Sequence, residues 1–411
     1  MTLSDYPNEM PVITLDFQNS RQLDPRITFE RSSAASPDSL AMVNGKVQQF
    51  DANVPRLSDK GLLIEEMRIN SARDTVEMNP GWNNTIITNN TSDTNAPNGT
   101  QTANKVTPAT GTNGEVNRVI QGMTSTDDIW SASFYIKGGT GTAFNNIRVN
   151  FASQYQFDLD LENGVVGGIN FGVVKRFFEV GDGWWYVSAV DNGAASNSNF
   201  SFRLTTNGGD NTNSYYLWGV QVERGQYSTS WIPTIGSTTA TRAPDQVVLT
   251  GEDFTAWYGF NTAGSVVLQA DIPLNTSGDQ SLYQMAYGTS GANAGTNIKI
   301  NPQNQIRLNS KVIPTGQRAQ LNVPDTDTVS KFANVKPLRI AGSYSTTTTL
   351  LTCNAPFPFT SQTSSVGADT TPPTLINLGW NEFGSDDDHI NGYLQSIQFY
   401  NTACEARLNV N

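Results

Sequence analysis

Apolar residues recur at every second position over several stretches of this chain, a period that predicts β-strands. Tyr155, Phe157, Leu159 and Leu161 alternate with Gln154, Gln156, Asp158 and Asp160. Ile147, Val149 and Phe151 alternate with Arg148 and Asn150, and Phe200, Phe202 and Leu204 repeat the pattern. Tyr216, Trp218, Val220 and Val222 read the same way, as one apolar face of one strand. Further strand signals lie at 131–137, 265–272, 338–344, 375–379 and 389–400. Gly- and Asn-rich turns separate them, and no helical period of comparable length competes. Strands that are apolar on one face build antiparallel sandwiches. The absence of a 20–50-residue repeat argues against a solenoid, and the absence of heptads argues against a coiled-coil shaft.

Composition sharpens this. Only 15% of the 411 residues are charged against 37% hydrophobic, and Asn, Thr and Ser favour strands and turns over helices. The 8 Trp, 13 Tyr and 19 Phe are too many for a disordered chain. A net charge of −12 with no basic run excludes nucleic acid as a partner. No stretch reaches the roughly 18 apolar residues that cross a bilayer, so no membrane insertion is expected. The opening residues show neither a basic start nor an apolar run, so no secretory signal is read there. Cys353 and Cys404 are too few for a disulfide framework. They are read as thiols of a protein assembled in a reducing cytoplasm, with one bridge between them as the alternative.

Residues 1–75 read as a small module. Leu15-Asp16-Phe17 is followed by Leu23-Asp24-Pro25-Arg26-Ile27-Thr28-Phe29-Glu30-Arg31, then Asn53-Val54-Pro55-Arg56, then Gly61-Leu62-Leu63-Ile64-Glu65-Glu66 with Arg68 and Asn70. Apolar residues mixed with arginines and acids suit a folded adaptor whose charges are paired. The segment resembles the opening module of tailed-bacteriophage virion proteins such as tail and head fibres. A fold this small seldom stands alone, so docking on a neighbouring domain or another chain is expected.

Residues 76–245 carry Asp182-Gly183-Trp184-Trp185-Tyr186, Leu217-Trp218-Gly219-Val220-Gln221-Val222-Glu223-Arg224-Gly225, and Tyr227-Ser228-Thr229-Ser230-Trp231-Ile232-Pro233-Thr234. They end near Thr241-Arg242-Ala243-Pro244-Asp245. These strings are similar to a jelly roll of the carbohydrate-binding-module type found in phage structural proteins. Gly225 is expected to permit a turn that lets Tyr227 and Trp231 pack at the sandwich edge. Residues 246–411, with His389-Ile390-Asn391-Gly392 and the ending from Tyr400 through Leu408, resemble the laminin-G or concanavalin-A-like lectin sandwich. Thr402 is a helix N-cap candidate there.

Candidate chemistry is sparse. A Ser-His-Asp triad would have to use the single histidine, His389, yet no Gly-x-Ser-x-Gly elbow is present. Glycan cleavage needs two carboxylates roughly 5–9.5 Å apart across a bond. Asp158 and Asp160 share a face but read as a solvated strand surface, while Glu65 and Glu66 are adjacent and would point apart. Asp386-Asp387-Asp388 offers oxygen ligands without the spacing of a calcium loop, and nothing suits zinc. Trp184 and Trp185 must face opposite sides of a strand. For these, and for Trp82, Trp257 and Trp380, packing outranks a sugar-stacking role.

The reading is therefore an all-β protein with two antiparallel sandwiches behind a docking module. No catalytic residue, metal or cofactor is assigned, and ligand-binding residues are left unknown. The resemblance implies a non-enzymatic virion surface protein, a fibre or spike contacting host surface polysaccharide, built as a homotrimer with other virion proteins. A capsid decoration or head-fibre protein is the alternative, and a glycan depolymerase the third.

Overall fold

The computed structural model describes residues 10–20, 22–32, 39–43, 46–78, 82, 86–88, 93–107, 116–119, 129–139, 147–151, 155–168, 173–191, 201–206, 214–236, 238–258, 263–273, 278–286, 294–301, 305–310, 317–321, 337–345, 349–354, 372–381 and 388–403. Among them the one helix is the short Gly251–Thr255; all else regular is strand, paired antiparallel throughout. The all-β expectation holds. The alternating stretches became the strands Trp130–Gly138, Ile147–Phe151, Tyr155–Asp160, Ser201–Thr206 and Tyr215–Arg224.

The chain divides into two compact units. Unit 1 comprises 1–32, 53–67 and 244–411, and unit 2 comprises 33–52 and 68–243. Residues 1–75, expected as a separate module, are thus shared between the two. The physical reason is long-range pairing. Ile13–Asp16 pairs with Gly392–Tyr400, Thr28–Glu30 with Gln246–Thr250, and Gly61–Ile64 again with Gly392–Tyr400.

Unit 1 is two seven-stranded sheets. One runs Thr349–Cys353, Leu338–Tyr344, Gly264–Asp271, Gly392–Tyr400, Gly61–Ile64, Arg56–Ser58, with Ile13–Asp16 beside Gly392–Tyr400. The other runs Thr28–Glu30, Gln246–Thr250, Leu375–Leu378, Gln280–Ala286, Ala294–Ile300, Ile306–Ser310, Gln317–Leu321. Leu15, Ile64, Leu268, Ile340 and Ile397 from the first join Val247, Ile298, Leu308 and Ile376 from the second in a single core. The sheets approach closely enough that a Cβ on Gly342 would stand 2.7 Å from Leu308 Cδ2.

Unit 2 pairs a six-stranded sheet with a five-stranded one. The first runs Val173–Gly181, Trp184–Val190, Trp130–Gly138, Tyr215–Arg224, Asn104–Thr107, Ile86–Thr88. The second runs Val116–Val119, Ser201–Thr206, Ile147–Phe151, Tyr155–Asp160, Val165–Gly167. Phe134, Ile136, Val187, Leu217, Val220 and Val222 meet Ile147, Val149, Phe157 and Leu159 between them. Asp182 and Gly183 both take positive φ between the paired Gly181 and Trp184. That is the two-residue hairpin turn whose twist matches the strands.

One pattern reading is corrected. Tyr216 and Trp218 face one side of their strand and Val220 and Val222 the other. Gly219 causes the change. It sits at φ 62°, and the pairing with Trp130–Gly138 slips between Ser133 and Tyr135. The extra residue of this bulge reverses the alternation.

Candidate functional site

The charged residues of the opening segment meet in one buried node of unit 1. Arg56, on Arg56–Ser58, is 1% exposed and Asp245 is fully enclosed. The Arg56 guanidinium forks, donating from Nη1 to Glu65 Oε2 at 2.5 Å and from Nη2 to Asp245 Oδ2. Arg31 Nη1 approaches Asp245 Oδ1 at 3.4 Å, and its Nη2 donates to the Val54 carbonyl at 3.4 Å. The main chain completes the node: Glu65 N–H donates to Asp245 Oδ2 and Asp245 N–H donates to the Glu65 carbonyl, both at 2.9 Å.

Arg is suited to this position because its planar fork satisfies two carboxylates at once. Burial by itself would weaken the Arg56 charge, but Asp245 and then Glu65 outweigh it and raise the guanidinium pKa. Two buried cations thus face two buried anions and share charge-assisted hydrogen bonds, the pairing that makes such burial tolerable. The expectation that the module's charges pair internally is met only in part: Arg56 pairs with Glu65 and Arg26 with Asp24, but the acid shared by Arg31 and Arg56 is Asp245, outside residues 1–75. The role of Asp245 had no local signal, because its partners lie some two hundred residues away.

His389 belongs to the rim of this node. Its ring stacks on Trp380 with 6.0 Å between centroids. Its Nε2 lies 3.1 Å from the Asp245 carbonyl oxygen. A carbonyl only accepts, so Nε2 carries the proton and cannot act there as a base. Asn391, with positive φ, accepts from Glu66 N–H at 2.8 Å and donates to the His389 carbonyl. Asp388 is buried and accepts from Asn381 Nδ2 at 3.1 Å. Asp386 and Asp387 lie outside the described residues, as do Cys404 and residues 405–408 after Thr402. No group of three metal-ligating side chains occurs among the described residues.

The other candidate carboxylates, Asp158 and Asp160, are each tied to local partners. Asp158 is held by Arg148 through two bonds of 2.9 and 3.1 Å on the strand surface. Asp160 receives the Glu162 and Asn163 N–H groups in the next turn, and the Asn163 bonds, chiefly from its side chain, lower its pKa. Both are the solvated strand acids expected.

The tryptophans are spent on packing. Trp184 and Trp185 do point to opposite faces. Trp185 is half-buried and stacks on Phe177 at 4.7 Å, while Trp184 joins Tyr135, Tyr186, Tyr216, Trp218 and Trp231 on the other side of the six-stranded sheet. That aromatic face is covered by residues 93–103, a segment the pattern did not single out. Trp184 Nε1 donates to the Asn95 carbonyl at 2.9 Å, Trp218 Nε1 to Thr102 Oγ1 at 3.0 Å, and Tyr216 OH to Asp93 Oδ2 at 3.4 Å. Gly225, at φ 136°, turns the chain as expected. Arg68 lies against it, over the Tyr227 ring, and Trp231 packs on Trp218 at 4.3 Å. Trp82 and Trp380 are buried, and Trp257 is half-buried against Phe254.

An aromatic notch in unit 1 is lined by Trp257, Tyr258, Tyr283, Tyr344, Phe399 and Tyr400. Its interior offers about 10 Å³ to solvent, room for a single water and not for a sugar ring. Burial foremost, with Tyr344 nearby, raises the Tyr258 hydroxyl pKa well above the ordinary phenol. Such a group is a neutral packing partner, not an acid or base.

No protein-family model matches the chain, and no curated protein matches it. Among solved structures it is similar to the CBM40 of Ruminococcus gnavus IT-sialidase bound to α2,3 sialyllactose, at 14% identity and a TM-score of 0.25, over 34% of this chain and 76% of that one. It is also similar to domains LG4-5 of the mouse laminin α1 chain, at 10% identity and a TM-score of 0.24, over 84% of this chain and 93% of that one. Overlaps of this size assign no ligand and no activity.

Proposed function

We propose that this is a non-enzymatic surface protein of a tailed-phage virion, assembled in the host bacterial cytoplasm with other virion proteins as a homotrimer. It acts as a fibre or spike that meets host surface glycans through the lectin-like unit. The observation that carries this reading is the node. Arg31, Arg56 and Glu65 of the phage-like opening segment, Asp245 of the closing string and the His389-to-Gly392 turn converge on one structural element. That convergence supports taking the three strings together, as parts of one fold. Function then rests on shape and adhesion, since the buried charges neutralise one another and the rings pack internally.

A second reading, a decoration or head-fibre protein that braces the shell, is favoured by one specific finding. All eight tryptophans are buried or half-buried, which leaves no broad indole platform for a sugar. Imaging of whole particles carrying a tagged copy tests both. Label at the tail supports the fibre, label on capsomers supports the decoration protein, and unlabelled particles refute a virion role. Shortening of host polysaccharide by the purified protein would refute the non-enzymatic reading.

A further inference from the structure

The strand Gly392–Tyr400 holds unit 1 together in a way no strand does in unit 2. Along one edge it pairs with Gly264–Asp271, from Ser265↔Tyr400 to Asp271↔Tyr393. Along the other it pairs first with Gly61–Ile64, at Gly392↔Ile64 and Leu394↔Leu62, then with Ile13–Asp16, from Asp16↔Ser396 to Ile13↔Phe399. Leu394 and Ile397 are wholly enclosed and Phe399 nearly so. Ile13–Asp16 has no other strand partner among the described residues, and Gly61–Ile64 has only Arg56–Ser58. The turn leading into the strand supplies His389 and Asn391 to the buried node.

Every sheet of unit 2, by contrast, draws its strands from residues 39–242 alone. Among the described residues, unit 2 has its strands once residue 242 is made. Ile13–Asp16 and Gly61–Ile64 wait for residues nearly the whole chain away, the most costly kind of contact to close. We infer that Gly392–Tyr400 is a latch: unit 2 folds without it, and unit 1 closes only when it docks. A copy that lacks this strand would hold a folded unit 2 and an unclosed unit 1.

Two measurements on the full-length protein test this. In pulse-labelled refolding of the unaltered chain, amides of Trp184–Val190 and Tyr215–Arg224 should gain protection before those of Ile13–Asp16 and Gly61–Ile64. Simultaneous or reversed protection overturns the latch. In the variants Leu394→Asp and Ile397→Asp, hydrogen exchange should quicken by roughly a hundredfold in 13–16, 61–64 and 264–271 and stay unchanged in 130–138, 184–190 and 215–224. Equal loss in both units, or retained protection of 13–16 and 61–64, overturns it as well.

Discussion

The two units solve one problem, how to fix chain segments far apart in sequence, with different chemistry. Unit 1 uses full charges. Arg56 binds Glu65 and Asp245, and Arg31 adds to Asp245, so that three separate stretches meet at one ion-pair node. Unit 2 uses neutral amides. Asn70, fully buried, donates to the Val220 and Ile232 carbonyls and accepts from Ala72 and Val222 N–H. Beside it Arg68–Asn70 pairs with Ala240–Arg242, joining the two ends of the 68–243 stretch of this unit. Charged closure is strong but intolerant, because removing one ion strands the others in low dielectric. Amide closure divides the same task among several modest bonds.

The sharpest way to break this contrast is Arg56→Met. It leaves Glu65 and Asp245 buried without their main cation, so unit 1 should lose about 3–5 kcal/mol in urea unfolding followed by hydrogen exchange. Arg56→Lys keeps the charge but cannot fork to two carboxylates, and its loss should fall between wild type and Met. If Met costs under about 1 kcal/mol, the node is ornament and the packing of Gly392–Tyr400 alone closes the unit.

In unit 2, Asn70→Ala leaves two carbonyls and two N–H groups without their amide, an expected loss of about 2–3 kcal/mol. Asn70→Asp is the sharper probe. It retains the acceptor facing Ala72 and Val222 but sets a carboxylate oxygen against two carbonyls, so it should be no better than Ala. A variant as stable as wild type would show that the hub's bonds are replaced by water and that strand pairing alone closes this unit.

How much of this was legible depends on the range of the contact. Alternation over 147–151 and 155–160 placed Ile147, Val149, Phe157 and Leu159 in the core, because a strand's two faces are a local property. The same rule failed at Tyr215–Arg224 because one inserted residue reverses the faces. Gly219 inside the strand was the available signal. Gly219→Ala tests that account: a Cβ there would sit 3.0 Å from Tyr135 Cδ2, at a φ that L-residues disfavour. The expected loss in unit 2 is about 1–2 kcal/mol, and an unchanged midpoint would mean that the bulge relaxes freely. The division of residues 1–75 was not legible at all. A segment such as Leu15-Asp16-Phe17 states that it is a buried strand but not that its partner lies at 395–399. The charged order of Arg31, Arg56 and Glu65 announced pairing, yet the shared acid, Asp245, is a remote residue with no local mark.

The smallest expected effect concerns Glu223, one of the charge-bearing groups that unit 2 buries along with Asp74, Asp191 and Arg242. Glu223 is enclosed and accepts from Thr229 N–H at 2.8 Å and Thr229 Oγ1 at 2.5 Å. Burial raises its pKa, and attraction to Arg68, the Thr229 bonds and Arg242 offset this only in part. A carboxyl whose folded pKa lies above its unfolded value binds its proton more tightly in the native state. Its stabilising contribution is therefore complete below the unfolded pKa and is lost as pH rises through the folded one. Unit 2 should accordingly lose some stability on going from acid toward neutral pH, the opposite of a salt-bridged aspartate. Glu223→Gln cannot ionise, so its stability measured against wild type should climb across that window and then level off. A difference that stays flat from pH 4 to 7 would mean that Arg68 and Arg242 compensate the charge fully (the pH limits are roughly those of carboxyl titration). Unit 2 would then hold an ion pair equivalent to the node of unit 1, and the contrast between charged and neutral closure would fail.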